Sequence, residues 1–216
     1  MLDTSISTNT CGLSDLLPND HPFAGLQRNH YASIAADPPW AYRTRSKKGL
    51  SRSADRHYRT MSLDHIAELP VGDLAAKNCF LWLWVTGPFI AMGGHLPIMK
   101  AWGFKPSSLA FVWIKTNDHE SVEKAQTWEE VLFNGMGFTT RQNAEVVILG
   151  RRGHPKRLDT TIRQVLISRR QEHSRKPNEI IRRIERFSSG PRLELFARTT
   201  RPDWAVWGNE TDRFEE

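Results

Sequence analysis

Seven consecutive residues, Cys79-Phe-Leu-Trp-Leu-Trp-Val85, are apolar without alternation. A strand of that composition needs cover on both faces, which a sheet between two helical layers provides. The flanking segments supply such helices. Ser62 caps a short helix from Leu63 to Leu69 that ends at Pro70, and a further short segment, 71–76, leads into the strand. Thr86-Gly87-Pro88 opens a helix with proline in its first turn. Pro97 should kink this helix, and Trp102-Gly103 should close it. A strand from His30 to Asp37 precedes these elements, and another from Leu109 to Ile114 follows them. Strand, helix, strand, helix, strand predicts an α/β domain with parallel pairing and right-handed crossovers.

The first strand carries the most chemistry. Its run, Ile34-Ala-Ala-Asp37, stops at Pro38-Pro39, which cannot continue a sheet ladder, and Trp40 follows. Asp37 therefore stands at a strand's carboxyl end, where open α/β sheets place ligands. Both prolines lack an N–H, so the carbonyls around them are expected to accept hydrogen bonds from elsewhere. Acceptors and an aromatic plane with few donors suit a flat molecule bearing an NH2 group. A strand-ending turn with a capping Asp and a packed Trp explains the same residues.

Residues 41–60 have no apolar period and read as a loop. Seven cations, Arg43, Arg45, Lys47, Lys48, Arg52, Arg56 and Arg59, face one acid there, Asp55. Beside a candidate pocket, such a charge run points to phosphate contact. Residues 116–143 are polar and weakly periodic, too long for an idle connection in a compact domain. Lys115 stands before this segment and Arg141 near its end. A fourth strand, Ala144 to Leu149, runs into a second basic stretch that includes a short extended piece, Val165 to Ile167. Pro177 opens a helix with apolar face Ile180, Ile181, Ile184 and Phe187, stopped by Gly190. Strands at Leu193–Ala197 and Trp204–Trp207 finish the pattern.

With 216 residues the chain suits one full α/β domain, here 31–216, preceded by an irregular arm over 1–30 that should cover the sheet. A net charge of +6 favours a polyanionic partner. Cys11 and Cys79 lie far apart, which predicts a reducing compartment without disulfides. No His/Cys cluster has metal-ligand spacing, and no apolar run reaches the roughly 20 residues of a membrane span. A cytoplasmic protein is expected. Glycine-rich phosphate loops and nucleophile–base triads are absent from the sequence, which argues against a nucleoside triphosphate or dinucleotide cofactor. Instead, Lys176, Glu194, Arg198, Asn209 and Glu210 could together hold a zwitterionic, ribose-bearing ligand, cations on its carboxylate and Asn or Glu on its hydroxyls. Taken singly, each reads as an ordinary surface residue.

In this order, Asp37-Pro-Pro-Trp40, Tyr58-Arg-Thr-Met-Ser62, Leu81-Trp-Leu-Trp-Val85, Trp102-Gly-Phe104, Val112-Trp-Ile-Lys115, Lys176-Pro177, Leu193-Glu-Leu-Phe-Ala-Arg198 and Trp207-Gly-Asn-Glu210 resemble the DPPW-type adenine-N6 methyltransferases. That family includes the catalytic subunit of the mRNA adenosine methyltransferase and bacterial and phage enzymes, and the likeness spans about residues 31 to 210. It implies a Rossmann-like, S-adenosylmethionine-dependent methyltransferase fold, mostly parallel with helices on both faces. The order is permuted, with the catalytic motif before the cofactor motif. The resemblance implies that Asp37, Pro38, Pro39 and Trp40 form the catalytic motif, with Asp37 facing both donor and target amine and Trp40 walling the pocket or stacking on the base. Lys176 would meet the donor's carboxylate. Arg198, Asn209 and Glu210 would meet its ribose and adenine, beside Glu194 and Phe196 of the same motif. Arg43, Arg45, Lys47, Lys48, Arg52, Arg56, Lys115 and Arg141 are the expected nucleic-acid contacts.

The sequence departs from the mRNA enzyme after Phe196. There Ala-Arg-Thr-Thr-Arg201 replaces a glycine and a longer His-Asn-containing segment. Asp20 is a weak match to the upstream acid that holds the donor's adenine in that enzyme. The reading is an adenine-N6 methyltransferase of bacterial or phage type, with DNA favoured over RNA because no RNA-binding module is visible. An RNA adenosine-N6 methyltransferase and an inactive nucleic-acid-binding subunit are the alternatives. A homodimer and a heterodimer both stay open.

Overall fold

The computed structural model describes residues 15–41, 60–135, 139–172 and 175–214. Seven strands form one sheet: β1 (Tyr31–Ala36), β2 (Ala75–Val85), β3 (Lys105–Thr116), β4 (Ala144–Arg152), β5 (Val165–Arg169), β6 (Arg192–Leu195) and β7 (Trp204–Trp207). Their spatial order is β5-β3-β4-β2-β1-β6-β7. β1 lies parallel to β2 and β6, β6 to β7, and β3 to β5. The α/β architecture agrees with the sequence, and one pairing corrects it. β4 inserts between β2 and β3 and runs antiparallel to both. The residues after β3 carry the chain back alongside the strand they leave. β4 therefore starts at the edge where β1, β2 and β3 end.

Alternation along β2 shows why its sequence is apolar throughout. Leu81, Leu83 and Val85 join one core cluster, with Ile34, Leu193 and Leu195 from the sheet. That face is covered by Ile66 of α1 (Leu63–Glu68), by Ile98 and Met99 of α3 (His95–Ala101), and by Leu17 and Phe23 from the N-terminal segment. Phe80, Trp82 and Trp84 point the other way. They pack with Phe111, Trp113 and Val147 under Ile180, Ile181 and Ile184 of α6 (Asn178–Phe187). A buried polar chain ties this face together. Trp82 Nε1 donates to Ser33 Oγ at 2.9 Å, and Ser188 Oγ donates to Ser33 Oγ at 3.0 Å. The end of α6 is thereby hydrogen-bonded to β1.

The helix expected to run from Gly87 to Trp102 with a kink at Pro97 is two helices, α2 (Gly87–Ala91) and α3. The break falls earlier, where Gly93 adopts φ +67, a conformation open to glycine. Pro97 lies in the first turn of α3, where its missing N–H would have no helical partner anyway. The stretch after β3 also holds two short helices, α4 (His119–Lys124) and α5 (Trp128–Val131), so it is more ordered than a bare loop.

Cys79 is buried, its Sγ donating to the Phe80 carbonyl at 3.4 Å. Burial pushes its thiol up to about 12, with Arg152 opposing weakly. A thiolate is the reactive form. In the native protein Cys79 should resist iodoacetamide at pH 8 and react fully once guanidinium unfolds the chain. Mass spectrometry of the Cys79 peptide checks this, and rapid native labelling would contradict the burial.

Candidate active site

Asp37 emerges from the carboxyl end of β1, and a tight set of backbone bonds fixes the turn that follows. The Trp40 N–H donates to the Pro38 carbonyl at 2.8 Å, and the Met61 N–H donates to the Pro39 carbonyl at 2.9 Å. The Ala41 N–H returns to the Met61 carbonyl at 3.2 Å. Of the carbonyls around the prolines, expected to be free to accept from elsewhere, that of Pro39 takes the distant Met61 N–H and that of Pro38 takes the neighbouring Trp40 N–H, so neither is wholly free. A carbonyl has two lone pairs, so Pro38 keeps capacity for a second donor. Residues 41 and 61 are hydrogen-bonded together beside Pro39, which brings the two ends of the basic loop to the Asp37 turn.

Trp40 is a packed residue. It is 5% exposed, its Nε1 donates to the Trp84 carbonyl at 3.1 Å, and its ring lies 5.1 Å from that of Phe89. It therefore walls and anchors the turn but offers no open face for a base to stack on. Trp40→Ala should cost about 3–5 kcal/mol of stability through the cavity it leaves. Trp40→Phe should cost about 1–3 kcal/mol, because the Trp84 carbonyl loses its donor. Urea unfolding curves measure both, and losses below 1 kcal/mol would show that the indole is not a structural anchor.

Four alternating charges stand in a row at this edge of the sheet. Lys176 Nζ is 2.7 Å from Asp37 Oδ2 and 3.0 Å from Glu145 Oε2. Lys115 Nζ donates to the other oxygen of Glu145. Lys176 also sits 5.0 Å over the Trp84 ring, and Lys115 4.8 Å over that of Trp113. Burial pushes the Glu145 carboxyl up, but the ammonium groups of Lys176 and Lys115 outweigh it and hold the group down at about 2. Burial opposes the charge of Lys176, yet Asp37 and Glu145 more than compensate and raise it above the usual lysine value. Glu145 is the site residue that sequence reasoning missed. Its signal was a lone acid in the otherwise apolar run Ala144–Leu149. The antiparallel course of β4 is what brings it to this end. Lys115, expected to meet phosphate, has Glu145 as its partner instead.

A cleft opens next to this row, lined by Asp37, Arg175, Lys176, Asn178, Glu194, Phe196, Arg198, Thr199, Arg201 and Phe214. Five of the predicted residues, Asp37, Lys176, Glu194, Phe196 and Arg198, thus come together. Phe196 directly follows β6 with φ +59, a strained conformation of the kind held at ligand sites. Asn209 is exposed and outside the lining. Glu210 is also outside it, 3.7 Å from Arg198 and 2.6 Å from Arg213. Gly208 precedes them for a steric reason, since a Cβ there would lie 2.4 Å from the Ala197 carbonyl oxygen. Asp20 is exposed and outside the cleft lining. Among the predicted nucleic-acid contacts, Arg43, Arg45, Lys47, Lys48, Arg52 and Arg56 lie outside the described residues, and Arg141 is exposed. The helices after β3 carry Glu120, Glu123, Glu129 and Glu130 against Lys124, so this part of the 116–143 segment is acidic.

The donor set of the cleft suits a zwitterionic, ribose-bearing ligand. Glu194 and Asn178 can bind hydroxyls, the guanidinium groups can bind a carboxylate, and Phe196 and Phe214 can pack on an adenine ring. The MT-A70 family model matches residues 31–210. The chain is 30% identical over 211 residues to the type II methyltransferase M.MunI of a Mycoplasma species, covering 89% of this chain and 83% of that protein. It is 29% identical to an N(6)-adenosine-methyltransferase MT-A70-like protein of Drosophila melanogaster, over 84% of this chain and 27% of the relative. It is 27% identical to the human N(6)-adenosine-methyltransferase catalytic subunit METTL3, over 84% of this chain and 28% of the relative. The chain therefore spans about a quarter of the length of these adenosine methyltransferases.

Proposed function

The chain belongs to the MT-A70 family of N6-adenosine methyltransferases, and from that premise we propose that it methylates the N6 amine of adenine in DNA with S-adenosylmethionine as donor. The observation that carries this reading is the Asp37 carboxylate, held by Lys176 at the mouth of a cleft whose side chains suit that donor. DNA is the favoured substrate because the likeness that runs through most of both chains is to a type II methyltransferase.

The exocyclic amine of adenine is a poor nucleophile, because its lone pair is delocalised into the ring. Asp37 accepts a hydrogen bond from one N–H of that amine, and the second lone pair of the Pro38 carbonyl accepts from the other. Two such acceptors draw the nitrogen toward a tetrahedral geometry and turn its lone pair outward. When bound, S-adenosylmethionine supplies the electrophilic methyl carbon that this lone pair attacks. Most of the rate then comes from alignment. Asp37 also stabilises positive charge growing on N6 and is an acceptor within reach of the proton that N6 sheds. Lys176 keeps the carboxylate aimed, and Glu145 and Lys115 keep Lys176 in place. In a duplex the target base must leave the stack, at about a few kcal/mol. Phosphate contacts by the 41–60 cations offset that cost.

The test is incubation of the protein with methyl-labelled S-adenosylmethionine and single- and double-stranded DNA and RNA, followed by digestion to nucleosides. N6-methyldeoxyadenosine is expected. N6-methyladenosine from RNA alone would overturn the choice of substrate, and no labelled nucleoside would overturn the activity.

A further inference from the structure

Arg201 lies between β6 and β7, in the segment where the sequence departs from the mRNA enzyme, and the reaction just described does not use it. Its side chain is 8% exposed and engages two acceptors at once. Nε donates to Glu194 Oε2 at 3.0 Å, and Nη1 donates to Asn178 Oδ1 at 3.1 Å. These acceptors belong to different elements. Glu194 is on β6 and pairs with Ala35 in β1, two residues before Asp37. Asn178 begins α6, two residues after Lys176. Both line the cleft together with Asp37 and Lys176.

We propose that Arg201 is a positioning residue for the methyl donor, fixing the Glu194 carboxylate so that it accepts the vicinal hydroxyls of the donor's ribose. The inference rests on the cleft being the S-adenosylmethionine site. An ionised carboxylate is an acceptor only, so it takes hydroxyl groups and repels a phosphate. The planar guanidinium sets both the direction of that carboxylate and its spacing from the start of α6. An ammonium group has no such fork and cannot hold two acceptors in one plane. Glu194 is only 18% exposed. Without the guanidinium its charge would be left poorly solvated and its rotamer loose.

Isothermal titration of the full-length protein with S-adenosylhomocysteine and with its 2′-deoxyribose analogue tests this. Arg201→Ala should weaken S-adenosylhomocysteine binding about 10- to 100-fold, as loss of a charged hydrogen bond predicts. Arg201→Lys should fall between the two. Glu194→Gln should lose a similar factor, and the double variant should be little worse than Glu194→Gln alone, because the two side chains act as one unit. The deoxy analogue should bind the native protein more weakly than the parent ligand, with the gap narrowed in Arg201→Ala. In methylation assays the donor KM should rise more than kcat falls, a split that general loosening of the fold would not give. Tight S-adenosylhomocysteine binding by Arg201→Ala, or fully additive losses in the double variant, would refute the role of Arg201 while leaving the cleft intact. Failure of the native protein to bind S-adenosylhomocysteine would remove the cleft assignment and this inference together.

Discussion

An Asp37→Ala protein is expected to fold, to bind nucleic acid, and to lose methyl transfer by at least about 10²–10³-fold, the usual effect of deleting one preorganised electrostatic partner of a transition state. In the proposed reaction the carboxylate at the end of β1 both grips an N6 hydrogen and faces the charge that develops on that nitrogen. Folding should survive because Lys176 keeps a second carboxylate, Glu145, at 3.0 Å. Asp37 is also at the rim, with 22% of its side chain exposed. Asp37→Asn is the sharper variant, since it keeps the shape and one acceptor but removes the charge. Its kcat should fall steeply while the midpoint of thermal unfolding moves by a few degrees. Activity within about threefold of the native protein would remove Asp37 from the reaction and the proposed chemistry with it.

The second large effect is expected at Glu145. It is the negative charge between two lysines, so Glu145→Gln leaves two ammonium groups facing a neutral amide. Breaking a fully buried pair costs about 3–5 kcal/mol. Glu145 is 28% exposed, so solvent screening reduces this to about 2–3 kcal/mol, or about 4–12 °C in melting temperature for a chain of this size. The pH dependence has a definite sign. The folded-state value, about 2, lies below the ordinary 4.5. The stabilisation is therefore complete above pH 4.5 and is lost as pH falls through about 2. The native protein should consequently lose its advantage over Glu145→Gln between those two values, and urea unfolding across that range measures it. Glu145→Gln combined with Lys115→Met should recover part of the loss. Equal stability of native protein and Glu145→Gln at pH 7 would show that the row of charges is not coupled. Methylation should also drop in Glu145→Gln, because Lys176 then leans on Asp37 alone.

Much of this was legible in the residues. The apolar run Cys79–Val85 required cover on both faces, and the alternation of Leu81 and Leu83 against Trp82 and Trp84 provides it. Pro38 and Pro39 ended β1 where expected. The cleft brought Asp37 together with Lys176, Glu194, Phe196 and Arg198, which are far apart along the chain. The helix break came at Gly93 and not at Pro97, because a proline in a first helical turn forfeits no hydrogen bond. Trp40 was ambiguous because packing and stacking demand the same aromatic ring.

By itself the sequence determined the core strands and the helix after Pro177, since those depend on local periodicity, caps and prolines, but not the break at Gly93 or the short helices after β3. It also determined which acid would stand at a strand's end, because two prolines follow Asp37 and β1 stops at Ala36. The direction of β4 was decided only in the tertiary structure. Antiparallel and parallel strands share one apolar pattern, and the choice depends on how the chain returns after β3. That choice brought Glu145 to Lys115 and Lys176. Likewise, only the folded chain shows that the carbonyls of Pro38 and Pro39 already hold a donor each, because hydrogen-bond partners are set by neighbours in space.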